Sequence, residues 1–454
     1  MLEKYDVVIV GAGTAGCMAA KILASKGFNV CLVDRKSSRL IGDKVCGDAI
    51  GKHHFDNLGL PYPSGEEKEG DIEGVKVYSP DKSSIFNISG YGLAGFVINR
   101  YAFGQRLLGD AVDAGAVLKD EVHVSAPLVK DGYVKGILAV NARTGEKMEI
   151  LSDVAVDASG VSAVLRRNLP PEIGLEVDVG KDDLVVCYRE IRQLKKEVED
   201  PRFCEIYLDQ DASPGGYYWI FPKGATRVNA GLGISLRSNK PNPKSNFYRH
   251  VLARDFFESS EIIHKGGGIV PTRRPLDSFV GNGIAVIGDA GCQVNPIHGG
   301  GIGPSMMGGK ISGEVIAEAL ERGDVSSKAL WPINVRFMEG YGAKQAGLDI
   351  FRIFLQGLTN EELNYGMKYQ LITEEDVLKA SLGEEIHLNI GETARRIFSG
   401  LGRLSFLKSL YVMARTIREV RSLYDKYPST PDVFPEWRKK VVKVFERAKR
   451  LFWK

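Results

Sequence analysis

The chain contains no run of about 18 apolar residues, the length that a bilayer-spanning helix requires, so no transmembrane segment is expected. It carries no excess of either charge: 60 Lys and Arg stand against 57 Asp and Glu, a net charge of +3, which leaves nucleic acid out as an expected partner. Cysteine is sparse. The 6 thiols, Cys17, Cys31, Cys46, Cys187, Cys204 and Cys292, never fall in a CxxC pair, so no metal or iron–sulfur site is expected and free thiols are the default. Internal repeats and low-complexity tracts are also missing. The first strand-like run starts at Tyr5, which leaves no room for a signal or transit peptide and predicts a cytoplasmic protein.

What is present begins with Tyr5 to Asp34. An apolar run, Val7 to Val10, leads into Gly11-Ala-Gly13-Thr-Ala-Gly16, then an Ala-rich amphipathic segment, a Lys-Gly turn, a second apolar run and Asp34. This is a βαβ unit that binds a dinucleotide. Gly11 permits the tight turn, Gly13 lets backbone approach a pyrophosphate, and Gly16 lets the helix pack on the sheet. The phosphates face the helix N-terminus, and Asp34 accepts hydrogen bonds from an adenosine ribose.

The 454 residues suffice for two or three domains. A polar loop follows Asp34 and reaches Lys44-Val45-Cys46-Gly47-Asp48. Two short strands are expected at 74–78 and 84–88. Asn99 caps a helix from Arg100 that presents Phe103, Leu107 and Val112 on one face. Residues 122 to 157 alternate as a meander. From 184 to 235 four longer strand-like runs lack any helix between them, which predicts an antiparallel, substrate-facing module inserted in the α/β body. A helix over 246–257 is then expected to return the chain to the body. There a buried strand ends at Gly288-Asp289, and a glycine run, 299 to 303, opens another helix. Beyond Phe337 the pattern is helical and amphipathic.

The later segments distinguish FAD from NAD as the cofactor. Arg100 sits where a cation reaches the pyrophosphate or the flavin side of it. Asp289 follows a strand and suits a ribityl hydroxyl. The N–H groups opening the helix at Gly300, Gly301 and Ile302 favour negative charge on the N1/C2=O edge of a flavin.

The motifs GAGTAG, INR (98–100), VDASG (156–160) and GDAG (288–291) make residues 1 to about 345 resemble the FAD-binding fold of the para-hydroxybenzoate hydroxylase type. That fold is shared by aromatic monooxygenases, flavin halogenases and geranylgeranyl reductases. The resemblance implies an α/β chain with a Rossmann-like FAD-binding domain (1–72, 99–172 and 268–336), an antiparallel β-sheet substrate domain (73–98 and 173–267) and a helical C-terminal region (337–454). It also implies FAD contacts at Ala15, Asp34, Arg100, Gly288, Asp289, Gly301 and Ile302 and at the backbone near Val124, and it matches Asp157 and Gly160 to the middle motif.

Two further patterns resemble the geranylgeranyl reductase branch. Lys44-Val45-Cys46-Gly47 is similar to its Lys-x-Cys-Gly segment, which meets the flavin. Pro214-Gly-Gly-Tyr217-Tyr-Trp219-Ile-Phe221-Pro222 matches its PxxYxWxFP signature in every fixed position. On a strand, Tyr217, Trp219 and Phe221 share one face, an aromatic wall suited to an isoprenoid chain. The resemblance implies hydride transfer from reduced flavin to isolated C=C bonds, with Cys46 or a water as proton donor. The implied substrate is a geranylgeranylated glycerophospholipid or geranylgeranyl diphosphate, and the implied electron donor is NAD(P)H or reduced ferredoxin.

The alternatives are a monooxygenase or halogenase of the same fold and a flavoprotein that only carries electrons or binds lipid. His53, His54 and His298 are candidate proton carriers, His298 more as a shaper of its loop. The tail from Trp437 to Phe452 puts Val441, Val444, Phe445, Ala448 and Leu451 on one helical face opposite Lys and Arg. That face has two readings: peripheral contact with the inner face of a membrane, or packing on its own domain.

Overall fold

A computed structural model describes residues 2–90, 92–237, 241–371, 373–375 and 404–453. The Tyr5–Asp34 segment folds as its pattern requires. Strand Leu2–Val10 runs parallel to strands Val30–Val33 and Lys147–Asp157, and its Val7, Val8 and Ile9 have no exposed surface. Strand Ile284–Val286 joins Lys147–Asp157 in parallel on the other side, and Val117–Lys119 extends the sheet beyond Val30–Val33. Strands Val122–Lys130 and Tyr133–Asn141 add the expected meander. Helix Thr14–Ser25 packs on helix Ile302–Glu321 so closely that a Cβ on Gly309 would lie 2.3 Å from the Ala15 carbonyl oxygen. Late sequence is thereby brought directly onto the dinucleotide helix.

The second sheet has 7 strands in the order Glu261–Pro271, Leu184–Gln193, Arg227–Ser235, Tyr218–Pro222, Phe203–Tyr207, Gly74–Tyr78, Ile85–Ser89. All neighbours are antiparallel except Phe203–Tyr207 with Gly74–Tyr78, which run parallel. Its two faces differ by the period of two. Tyr218 and Ile220 pack against Phe247 and Val251 on the outer side, while Trp219 and Phe221 pack with Ile72 and Val97 on the inner side.

Several expectations need correcting. The helix over 246–257 is instead a single turn, Pro243–Asn246, followed by a π-turn, Phe247–Val251, and a 3-10 turn, Asp255–Phe257. The chain then forms the edge strand Glu261–Pro271, which its three consecutive glycines had concealed, since glycine is disfavoured in strands. Strand Gly95–Ile98 does not join the second sheet; it pairs with Ala49–Gly51 and Lys68–Ile72 in a small third sheet. In helix Arg100–Asp113 the Asn99 side chain accepts from the N–H groups of Tyr101 and Ala102, as a cap does. Phe103, Leu107 and Ala111 form its buried face, and Val112 is exposed.

The C-terminal region is helical at Ala343–Gln356, Asn360–Lys368, Leu404–Tyr424 and Phe434–Phe452. The part of the expected helical region at 376–403 lies outside the described residues. In the last helix Trp437, Val441, Val444, Phe445, Ala448 and Phe452 are buried, and Trp437 Nε1 donates to the Leu423 carbonyl at 2.8 Å. The protein itself therefore covers this apolar face, and Leu451 falls outside it at 50% exposure. Among the described residues, no helix is long and apolar enough to cross a membrane.

Candidate active site

The carboxyl ends of the parallel strands open into one cavity of about 1310 Å³ that passes under the second sheet and into the helical region. At its dinucleotide end Gly11 adopts φ of 108°, and a Cβ there would fall 2.3 Å from the Ala158 carbonyl oxygen. Asp34 closes this end. Its two carboxylate oxygens accept from Ala12 N and Lys36 N, each at 2.8 Å, which orients the group and leaves lone pairs for a ribose.

Arg100 also lines the cavity and is only 7% exposed. Its Nε and Nη1 are buried and have no hydrogen-bond partner among the described residues. A buried guanidinium with idle donors costs free energy unless an anion meets it. The cradle of Gly11, Gly13 and Arg100 thus fits the pyrophosphate of FAD.

Further along, Lys44 Nζ lies 2.9 Å from Asp289 Oδ2, so the Lys-x-Cys-Gly loop and the Gly-Asp turn meet over the cavity despite lying 245 positions apart. Next to them the Gly299–Gly303 run enters helix Ile302–Glu321. His298 Nδ1 accepts from Gly300 N at 3.1 Å, and the His54 ring occupies the space beside Gly303. Burial pushes the His54 imidazole down to about 3 and that of His298 to about 4, so both are neutral near pH 7. Lys344 lines the same region, and burial lowers its ammonium to about 8.

Cys46 lies at the junction of this crevice with the apolar part of the cavity. Gly47, the next residue, is pressed against the Phe221 ring, where a Cβ would be 3.0 Å away. Trp219 is 6.0 Å from Tyr217 and 6.2 Å from Phe221 between ring centroids, so the three aromatics form a continuous wall facing the cavity. Burial first, then the neighbouring Asp48 carboxylate, raises the Cys46 thiol pKa. Cys187 and Cys204 share this part of the wall, and burial pushes the Cys187 thiol up to about 12. Beyond the aromatics the lining is largely apolar: Phe86, Ile88 and Met367 pack together there, and Val75, Phe354 and Phe406 also line the cavity.

Five expected contact residues do not line the cavity: Ala15, Gly16, Asp157, Gly288 and Pro222. Asp157 is fully buried and accepts from Ser159 N, Ser159 Oγ, Leu165 N and Arg166 N, so its carboxylate builds the turn that carries Gly160. Gly16 and Ala15 support Gly11 and Gly288 from behind. The Asp48 side chain is likewise committed inward, to Lys223 and Asn229 at 2.7 and 2.9 Å. Sequence reasoning passed over those two partners. Lys223 directly follows the PxxYxWxFP signature, 175 positions from Asp48, and no local pattern states that pairing.

Fold and site together define an FAD-dependent oxidoreductase with a long, largely apolar cavity. A family model for an FAD binding domain matches residues 4–48, and one for the geranylgeranyl reductase catalytic domain matches residues 183–270. Among solved structures, the geranylgeranyl bacteriochlorophyll reductase-like protein of Thermoplasma acidophilum has a TM-score of 0.75 at 22% identity, covering 91% of this chain and 100% of its own. The flavin-dependent brominase Bmp2 has a TM-score of 0.65 at 19% identity over 94% of this chain and 100% of its own, a likeness of fold.

In sequence, the digeranylgeranylglycerophospholipid reductase of Sulfolobus acidocaldarius is 44% identical over 440 residues, 96% of each chain. That of Methanothrix thermoacetophila is 34% identical over 384 residues, 84% of this chain and 94% of its own. The chain belongs to the digeranylgeranylglycerophospholipid reductases, flavoenzymes that saturate the geranylgeranyl chains of archaeal membrane lipids.

Proposed function

We propose that the alkene is reduced where the flavin crevice meets the apolar tunnel, with Cys46 as proton donor and Tyr217, Trp219 and Phe221 as the wall that holds the isoprenoid chain. The observation that carries this reading is the continuity of one cavity from Asp34 through Cys46 to Phe406. When bound and reduced, FAD supplies the hydride. Gly11, Gly13 and Arg100 hold its pyrophosphate, Asp34 its adenosine ribose, Asp289 and Lys44 its ribityl side, and the N–H groups at Gly300, Gly301 and Ile302 its pyrimidine edge.

An isolated trisubstituted alkene is a poor hydride acceptor, so a proton must arrive at the second carbon as the hydride arrives at the first. Cys46, protonated near pH 7 and lining the cavity beside the aromatic wall, is placed to deliver it.

The reducing equivalents come from outside the chain, from NAD(P)H or a reduced ferredoxin. In the FAD-binding domain we include residues 1–72, 99–172 and 268–336, and in the substrate domain residues 73–98 and 173–267, which supply most of the second sheet, whose inner face forms the tunnel roof.

The test is anaerobic. Chemically reduced flavoprotein is mixed with digeranylgeranylglycerophospholipid, or with geranylgeranyl diphosphate as a simpler probe, and product mass is followed with flavin reoxidation. A gain of two hydrogens per double bond without oxygen supports the assignment. A flavin that stays reduced until air enters, with oxygen or halogen then found in the product, overturns it. Cys46→Ala that keeps FAD and full turnover removes the thiol from the chemistry.

A further inference from the structure

Lys223 is among the most deeply buried cations of the chain, with its side chain 1% exposed. It leaves the end of the aromatic strand and crosses to the third sheet. There its ammonium donates to Asp48 Oδ2 at 2.7 Å and to the Ile98 carbonyl oxygen at 3.0 Å, and it forms an ion pair with Glu69 Oε2 at 2.5 Å. The same Asp48 oxygen accepts from Asn229 Nδ2 at 2.9 Å. Asn229 is fully buried, and its amide nitrogen also donates to the Cys46 carbonyl at 2.8 Å while its oxygen accepts from Trp219 Nε1 at 3.0 Å.

The backbone between these groups is constrained in turn. Asp48 adopts φ of 65°, a left-handed conformation uncommon for a non-glycine residue, though Asp tolerates it better than most. Its carbonyl accepts from Ile98 N at 2.9 Å, and its own N–H donates to Cys46 Sγ at 3.3 Å. That last bond occupies a sulfur lone pair from the protein side and leaves the S–H to be directed into the cavity.

We propose that Lys223, acting through Asp48 and Asn229, is the positioning residue that fixes the Cys46 loop and aims its thiol at the substrate. The cluster does more than hold the fold together. Apolar residues of similar volume commonly stabilise a core as well as a buried ion pair does. What they would not supply is a carboxylate that receives Asn229 and holds Asp48 in its left-handed conformation, with its N–H on the sulfur. Trp219, a member of the aromatic wall, is registered by the same amide, so thiol and wall are set by one network. The inference rests on Cys46 as proton donor.

The experiment uses the FAD-loaded enzyme and the variants Lys223→Met and Asn229→Ala, alone and combined with Cys46→Ala. FAD content and melting temperature establish folding. Asn229→Ala leaves the Lys223–Asp48 pair intact, so it keeps the test alive if Lys223→Met does not fold. Expected are a fall in kcat of about 10-fold or more with KM within about 2-fold, and further loss below about 2-fold when Cys46 is already alanine. Cys46 alkylation by iodoacetamide, read by peptide mass, should accelerate at least about 5-fold while that of Cys187 does not.

Losses that add fully to that of Cys46→Ala, or an unchanged alkylation rate of Cys46, overturn the inference. If Cys46→Ala retains full turnover, the proton-donor reading fails by itself, and the alkylation rates still report whether Lys223 positions the loop.

Discussion

The hydroxyl of Tyr217 donates to the carbonyl oxygen of His298 at 2.7 Å, tying the aromatic strand to the loop that leads into the Gly299–Gly303 run. Two segments 81 positions apart thus share a hydrogen bond, one leading into the aromatic strand and the other into the glycine run. Tyr217→Phe keeps the aromatic surface and removes the tie. It should leave the KM for the lipid within about 2-fold and weaken FAD roughly 2- to 10-fold, the effect of one neutral hydrogen bond. Fluorescence titration of the apoprotein with FAD, alongside steady-state kinetics, measures both.

Arg100→Met should act on the cofactor alone. A charge-assisted contact is worth about 1.5–3 kcal/mol, so FAD affinity should fall roughly 10- to 150-fold. Melting temperature of the apoprotein should hold or rise, because the idle guanidinium donors no longer need burial. The same titration together with thermal melts checks this.

Asp157→Ala should do the opposite. It strands the N–H groups of Ser159, Leu165 and Arg166 in the interior, at about 1–3 kcal/mol for each donor left unsatisfied. Urea unfolding of the apoprotein should therefore show a large loss of stability. FAD affinity should follow only as the turn carrying Gly160 loosens.

Turnover should depend on pH through Cys46. Free cysteine ionises near about 8.5, and burial with the Asp48 charge raises that of Cys46. With the acid form required, kcat should stay level through the ordinary thiol range and fall only on the more alkaline side. The matching stability contribution has the same sign: it is complete below the ordinary thiol value and lost as pH climbs through the raised one. A kcat–pH profile of reduced enzyme, compared with that of Cys46→Ser, checks this; a decline starting at neutral pH would contradict it.

Much of the site was legible because its chemistry is written in short segments. Gly11 to Gly16 carries its task in its spacing, whereas Lys44 to Asp48 and Tyr217 to Pro222 were read through their resemblance to the geranylgeranyl reductase motifs. The remainder depends on long-range pairing. Lys223 and Asp48 are 175 positions apart, and only the folded chain makes them partners. The parallel pairing of Phe203–Tyr207 with Gly74–Tyr78 was hidden for the same reason, since neither strand states its neighbour. Asp157 carried the family's middle motif, but sequence cannot say whether a carboxylate faces the ligand or the turn behind it.

The bridge between Lys44 and Asp289 spans 245 positions of chain. At about 5–20 residues per second of synthesis, the second half of the crevice leaves the ribosome roughly 12–50 s after the first. A nascent chain that has folded its first strands therefore has nothing yet to close over a flavin. Retention of the cofactor becomes a late checkpoint on biosynthesis: a chain cut short before the Gly288–Gly303 region should emerge colourless, and a yellow protein reports that synthesis has passed that region.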